Sequence, residues 1–133
     1  MDSGFLYALI DDADAHNLAV RSALEAVFEK PILPVPAITE TAYFVAKYLG
    51  PTAHADFIQS IPDMKIVLEI PTDDDYLRSG EILRKYNDAN IDFVDACIVA
   101  MAERLNIAKI LTVDRRHFQM FRPAHCKAFE ILP

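Results

Sequence analysis

The pattern of hydrophobic and polar positions along this chain predicts both helices and strands. Apolar positions recur at helical spacing in six segments, which predicts helices over residues 5–11, 15–30, 37–50, 51–61, 72–88 and 93–106. Four short apolar runs rich in branched residues are typical of buried parallel strands; they are residues 31–35, 64–70, 108–113 and 128–132. Strands that alternate with helices predict a three-layer α/β/α fold with a mostly parallel sheet of about four to five strands.

Two of the predicted helices differ in character. The helix over 15–30 is expected to bury a face that includes Leu18 and Phe28, with Asp14 as its cap. The helix over 93–106 is apolar nearly all round, so we expect it at the centre of the protein. In sheets of this type, ligands bind beyond the carboxyl ends of the strands, and that edge is where chemistry is expected.

Composition narrows the class of protein. The chain has 133 residues, of which 53% are hydrophobic, which fits one domain over residues 1–133 that buries a core without staples. Its two cysteines do not form a CxxC pair and are interpreted as reduced thiols. No signal peptide is recognisable, and no apolar run approaches the roughly 18 residues of a membrane span. A soluble, cytoplasmic protein is therefore expected.

Glycine content and charge exclude several functions. With three glycines, the chain contains no GxGxxG motif, no Walker loop and no GxSxG elbow. A formal charge of −7 argues against a broad basic surface for nucleic acid. It remains compatible with an enzyme that touches nucleic acid locally through metal ions and a few arginines, and with a basic protein partner.

Four acidic residues fall at the edge of the sheet where ligands are expected. Asp114 directly follows the third predicted strand, Asp95 lies in the first turn of the most apolar helix, Glu40 follows the first strand by a few residues, and Asp2 precedes the first helix. Carboxylates that share a small site repel one another, and cations hold them there ionised. Oxygen ligands favour Mg²⁺ or Mn²⁺ over zinc, so these acids predict a metal-binding cluster.

Each of these acids also has a plainer interpretation. Acids are common in first helical turns because they suit the helix dipole. Asp92 and Asp95 have the spacing of a capping residue and its partner three residues on, so Asp95 can simply belong to a cap. The four histidines show no ligand spacing such as HExxH, and we expect them to be surface or hydrogen-bonded residues.

Several neighbours can support the acids. Ser3 and Thr112 flank Asp2 and Asp114 in the sequence, and their hydroxyls can orient the carboxylates. Arg115 and Arg116 follow the last acid directly; they can contact phosphate or simply lie on the surface.

Three segments of the chain resemble the PIN-domain family, particularly the VapC-like toxin ribonucleases of bacterial toxin–antitoxin pairs. They are DSGFLYALID, PAITETAYFV and YNDANIDFVDACIVAMAERLNIAKILTVDRRHF, in the family's order and over nearly the whole chain. The resemblance implies that the acidic metal-binding residues are Asp2, Glu40, Asp95 and Asp114. It matches Thr112 and Ser3 to the hydroxyl residues beside them. Asp88 falls where many relatives carry another acid, and Asp92 where many carry a smaller residue; either can replace or supplement a ligand.

One departure from the family concerns the first strand. Relatives usually carry several apolar residues before the first aspartate, whereas only Met1 precedes Asp2 here. Either the start is misassigned or trimmed, or the sheet lacks part of a strand and Asp2 is poorly held.

The resemblance implies an Mg²⁺- or Mn²⁺-dependent endoribonuclease that hydrolyses single-stranded or loop RNA through a metal-bound water attacking phosphorus in line. It further implies a small antitoxin that covers the site and a homodimer that lines up two sites. Two alternatives stay open: a PIN-type nuclease of RNA maturation or decay without an antitoxin, and a PIN-like interaction module that no longer cuts.

Overall fold

Helices and strands alternate along the chain as the hydrophobic pattern predicts. The computed structural model describes residues 1–133. The helices are α1 (Ser3–Ile10), α2 (Asn17–Ala26), α3 (Val35–Tyr48), α4 (Gly50–Ser60), α5 (Asp73–Lys85), α6 (Phe93–Leu105) and α7 (Arg115–Met120). The strands are β1 (Ile32–Pro34), β2 (Val67–Glu69), β3 (Lys109–Leu111) and β4 (Glu130–Leu132). A 3-10 turn, Ile61–Asp63, follows α4.

The first two residues join two parallel strand pairs. Strand β1 pairs with β2 and strand β3 pairs with β4, both in parallel. Between the pairs, the Met1 amine donates a hydrogen bond to the Ile32 carbonyl (2.9 Å), and the Asp2 N–H donates one to the Leu111 carbonyl (3.0 Å). Asp2 therefore lies between the two strand pairs, beside the carboxyl end of β3.

The core has two parts, one around α1, β1 and α3 and the other around α5, α6 and α7. Phe5, Leu33 and Val45 are fully buried in the first part, and Phe118 is fully buried in the second. Residues 96–102 of α6 are all buried, which confirms the central position predicted for this helix. Helices that pack around parallel strands in this way confirm the expected α/β fold.

Local chemistry sets the ends of the helices that carry the acids. The Asp92 side chain caps α6 by accepting from the Asp95 N–H (3.0 Å), and Asn106 ends α6 in the left-handed conformation (φ 55°). Gly50, two residues after the end of α3, has a φ of 88°, as expected of the glycine that stops that helix.

Helix α2 departs from its prediction. Leu18 is 81% exposed and Phe28 is fully exposed, whereas Val20 is buried. The helix begins at Asn17 and ends at Ala26, so Phe28 lies beyond it and the buried face is rotated from the predicted one. Asp14 accepts from the His16 N–H in a turn and makes no cap bond to α2.

Two further observations concern the chain as a whole. No helix combines the length and the apolar character that a membrane crossing needs. Cys97 is buried and Cys126 partly buried, and both are free thiols, as the absence of a CxxC pair led us to expect.

Candidate active site

Asp2 is firmly held although only Met1 precedes it. One carboxylate oxygen, Oδ1, accepts from the Phe5 N–H (2.7 Å), and the other, Oδ2, accepts from the Thr112 hydroxyl (2.5 Å). The first contact is the N-cap of α1, so the same side chain starts the helix and faces the site. The expectation that Asp2 is poorly held is wrong because neighbouring elements fix both its backbone and its side chain.

Thr112 connects Asp2 to Asp114. Its hydroxyl donates to Asp2 and accepts from the Asp114 N–H (2.8 Å). Asp114 in turn caps α7, since its Oδ1 accepts from the His117 N–H (3.0 Å). Strand β3 ends directly before Thr112, so the end of the strand and the start of α7 determine where both aspartates lie.

Asp95 brings a third carboxylate to this place. Its backbone N–H belongs to the cap of α6, as the plainer interpretation predicted, but its side chain is only 16% exposed. Burial, followed by the charges of Asp92, Asp2 and Asp114, raises the pKa of Asp95 from 3.8 to about 7. The carboxylate therefore lies within electrostatic reach of the other two site aspartates.

Asp2 also shows the effect of burial and of neighbouring charge. Burial raises the pKa of Asp2 from 3.8 to about 6, even though the hydrogen bonds from Thr112 and the Phe5 N–H favour its ionised form. The negative charge of Asp114 acts in the same direction as burial. No Lys or Arg forms an ion pair with any of these acids. The site thus brings together several carboxylates that have no Lys or Arg partner.

A histidine that the sequence did not single out lies between two of the aspartates. His117 Nδ1 is 3.0 Å from Asp114 Oδ2 and 3.5 Å from Asp95 Oδ2. The sequence led us to expect surface or hydrogen-bonded histidines, and it predicted a place within the site for none of them. The available signal was the spacing from Asp114, because residues three apart on a helix are neighbours.

Glu40 approaches the site from α3. Its Oε2 accepts a hydrogen bond from the hydroxyl of Ser3, the residue that directly follows Asp2 in the chain. Thr41 fixes this region further, since its hydroxyl donates to the Ala37 carbonyl (2.8 Å) and lies 3.3 Å from the Ser3 carbonyl. Glu40 is thus connected to Asp2 through Ser3, and Ser3 orients the glutamate.

The carboxylates do not converge on one point in the arrangement seen. No three His, Cys, Asp or Glu side chains lie close enough together to hold one ion. Each acid faces a nearby polar group instead: Ser3 for Glu40, Thr112 for Asp2, and His117 for the other two. The donor set nevertheless fits a hard divalent cation, because it consists of carboxylate oxygens that have no Lys or Arg partner.

The remaining predicted residues lie around this group. Asp92 is exposed and caps α6, and Asp88 is exposed in the loop before α6. Arg115 donates to the Pro133 carbonyl, whereas Arg116 lines a polar cavity together with Asp88. The structure therefore separates Asp88 from the acidic cluster and gives the two arginines different surroundings.

Comparisons with known proteins identify the family of this chain. The chain is 27% identical over 133 residues to ribonuclease VapC26 of Mycobacterium tuberculosis (strain ATCC 25618 / H37Rv), a match that covers 100% of this chain and 98% of that protein. Its fold is similar to that in the crystal structure of Mycobacterium tuberculosis VapC20, described as a sarcin–ricin loop cleaving toxin, with a TM-score of 0.80, 19% identity and coverage of 87% of this chain and 89% of that one. The PIN domain profile matches residues 1–122, a range that includes all four acids. The chain therefore belongs to the PIN domain family.

Proposed function

We propose that this protein is a metal-dependent endoribonuclease that hydrolyses RNA phosphodiester bonds as the toxin of a toxin–antitoxin pair. The observation that carries the proposal is the group of Asp2, Asp95 and Asp114, which lies at the carboxyl end of the sheet and lacks compensating Lys or Arg. A relative named as a ribonuclease and a structural neighbour described as a toxin that cleaves the sarcin–ricin loop support RNA as the substrate.

The metal-holding residues in this proposal are Asp2, Asp95 and Asp114, with Glu40 contributing from α3. Bound Mg²⁺ or Mn²⁺ supplies an activated water and offsets charge on the phosphodiester. Because the pKa values of Asp2 and Asp95 are raised to about 6 and about 7, protons compete with a cation for these carboxylates, most strongly for Asp95 near neutral pH.

Other side chains position this set. Thr112 holds Asp2 and the start of α7 in register, and Ser3 orients Glu40. His117 Nδ1 lies close to the carboxylates of both Asp114 and Asp95. Because small misplacements of reacting groups cost large factors in rate, Thr112 and Ser3 support catalysis by positioning the acids. Arg116 is exposed beside the site and is the proposed arginine contact for the RNA.

The substrate class follows from charge and access. A chain with a net charge of −7 offers no broad basic surface for a duplex. Single-stranded or loop RNA can bring an unstacked backbone to a recessed acidic site. We therefore propose unpaired RNA in the cytoplasm as the substrate.

Two protein partners belong to the proposal. An antitoxin with a basic segment would complement the acidic site and cover it. A second copy of the chain is the other partner, and exposed apolar side chains beside β2 and at the start of α5 offer a surface for it: Ile70 and Leu77 are both 71% exposed and Tyr76 is 50% exposed.

A non-catalytic interaction module is the second candidate function. It draws support from the observation that no three potential ligands converge in the arrangement seen. Mn²⁺ binding discriminates between the nuclease and the interaction module. The nuclease should bind the cation, whereas a module without catalytic function does not need a cation site.

Purified protein incubated with total RNA tests the main proposal. We expect cleavage with Mn²⁺ or Mg²⁺, none with EDTA, and a loss of about 100-fold or more in Asp95→Asn. Asp56→Asn is the matched control, since Asp56 is an exposed residue of α4 and undergoes the same change in charge. Cleavage that survives EDTA, or that persists undiminished in Asp95→Asn, would overturn the mechanism.

A further inference from the structure

A polar cavity of about 340 Å³ opens beside the acidic cluster. Six residues line it: Asp88, Ala89, Asn90, Arg116, His117 and Met120. His117 also lies against the site aspartates, so the cavity and the cluster share a wall. A volume at the lower end of the range for ligand pockets suits a single nucleotide-sized group.

The walls of this cavity are formed by segments that adjoin the site aspartates. One wall is the turn before α6, where the Ala89 N–H donates to the Tyr86 carbonyl (3.0 Å) and Asn90 has a φ of 55°. Asparagine adopts this left-handed conformation more readily than most residues. The other wall is the start of α7, directly after Asp114. Both walls therefore continue from the segments that carry the carboxylates.

The lining offers complementary hydrogen-bonding groups. Asp88 only accepts, Arg116 only donates, and the Asn90 amide does both. Neither Asp88 nor Arg116 takes part in an ion pair of the protein. A carboxylate at this place repels phosphate, so Asp88 favours the base of a nucleotide over its backbone.

We propose that this cavity binds an unpaired guanine base of the RNA next to the scissile phosphate. The inference rests on the proposed nuclease function and assigns its base preference. Guanine carries two adjacent donors on its Watson–Crick edge, N1–H and the N2 amino group, which suit the Asp88 carboxylate. It also carries two acceptors, O6 and N7, which suit the Arg116 guanidinium. No other RNA base presents both features.

Binding measured without metal tests the cavity separately from catalysis. The probes are short fluorescent uridine oligonucleotides that carry one guanosine or one inosine, titrated with protein in EDTA and followed by anisotropy. Inosine lacks the N2 amino group, so we expect it to bind about tenfold more weakly than guanosine. Asp88→Asn should lower guanosine affinity to the inosine level and leave inosine affinity unchanged. Asp73→Asn, at an exposed acid of α5, should leave the difference intact.

Cleavage mapping gives the second readout. In an RNA pool with a randomised loop, guanine should be enriched at one position beside the cut in Mn²⁺, and Asp88→Asn should remove the enrichment. Arg116→Ala should raise KM with little change in kcat, whereas Arg115→Ala should not, because Arg115 is engaged by Pro133.

The outcomes separate the two proposals. Metal-dependent cleavage without base preference, or a guanine preference that survives Asp88→Asn, would overturn the cavity assignment and leave the nuclease in place. Guanine-selective binding that Asp88→Asn abolishes, in a protein that cleaves no RNA, would support the cavity and remove the nuclease function.

Discussion

Replacing Asp95 by asparagine should stabilise the metal-free protein while it abolishes activity. The wild-type carboxylate is largely buried, and burial followed by three neighbouring acids raises its pKa from 3.8 to about 7. At about 1.4 kcal/mol per pKa unit, ionising Asp95 above pH 7 costs the folded state about 4 kcal/mol relative to the unfolded chain. The Asp95→Asn substitution removes this cost at nearly equal side-chain volume. Lost contacts with His117 offset about 1–2 kcal/mol of this, leaving a net gain of about 2–3 kcal/mol.

The gain should depend on pH in a defined direction. Because the folded-state pKa is raised, the folded wild type binds more protons than the unfolded chain between about pH 4 and pH 7. The free energy of unfolding of the wild type therefore falls as the pH rises through this window. Asp95→Asn should have no advantage near pH 4, where only the lost contacts with His117 count; its stability relative to the wild type should rise up to about pH 7 and stay constant above it.

Urea denaturation in EDTA at pH 4, 6 and 8 measures this effect. Asp56→Asn controls for the change in net charge and should follow the wild type at every pH. Mn²⁺ at a hundred times its dissociation constant should stabilise the wild type by about 2.7 kcal/mol and leave Asp95→Asn nearly unaffected. The reasoning is refuted if Asp95→Asn is less stable than the wild type at pH 8, or differs from it equally at all three pH values.

Three further predictions concern the site and its support. Thr112→Val removes the hydroxyl that joins Asp2 to the Asp114 N–H, so activity should fall at least about tenfold and the free energy of unfolding by about 1–3 kcal/mol. Thr112→Ser keeps the hydroxyl and should keep both activity and stability in the same assays. Calorimetric Mn²⁺ affinity should rise between pH 6 and pH 8, because raised carboxylate pKa values make protons compete with the metal; a flat profile contradicts this. Arg104→Met removes the only cation paired with the buried carboxylate of Asp75 (Nε to Oδ2, 2.9 Å in the wild type) and leaves it with hydrogen bonds from Thr72 alone. The substitution should cost about 3 kcal/mol in chemical denaturation; an unchanged midpoint would exclude this role.

The sequence was sufficient to predict most elements and the edge of the sheet that carries the acids. Branched apolar runs identified the strands, and α6 was recognisable because nearly every position is apolar. Asp95 and Asp114 could be assigned to that edge because each lies at the end of a predicted element. Asp95 is in the first turn of a helix, and Asp114 follows a strand. Periodicity failed for α7, whose six residues make fewer than two turns.

Other features depend on contacts between distant segments. His117 lies near Asp95 only because α6 and α7 meet, and a lone histidine gives no spacing to recognise. The support for Asp2 comes from Thr112, 110 residues away, so nothing in the first residues could have indicated it. Likewise, the buried face of α2 depends on the segments that it packs against: Val20 is buried and Leu18 is exposed, although both are apolar.

The hydrogen bonds of the first two residues have a practical consequence for anyone producing this protein. Burial lowers the pKa of the Met1 amine to about 6, against the opposing charge of Asp2, so at neutral pH the amine that donates to Ile32 is mostly uncharged. An affinity tag fused there would put bulky, mobile chain at the seam between the two strand pairs and next to a proposed metal ligand. A tag after Pro133 leaves that seam untouched, and inactivity of an amino-terminally tagged preparation would say little about the enzyme itself.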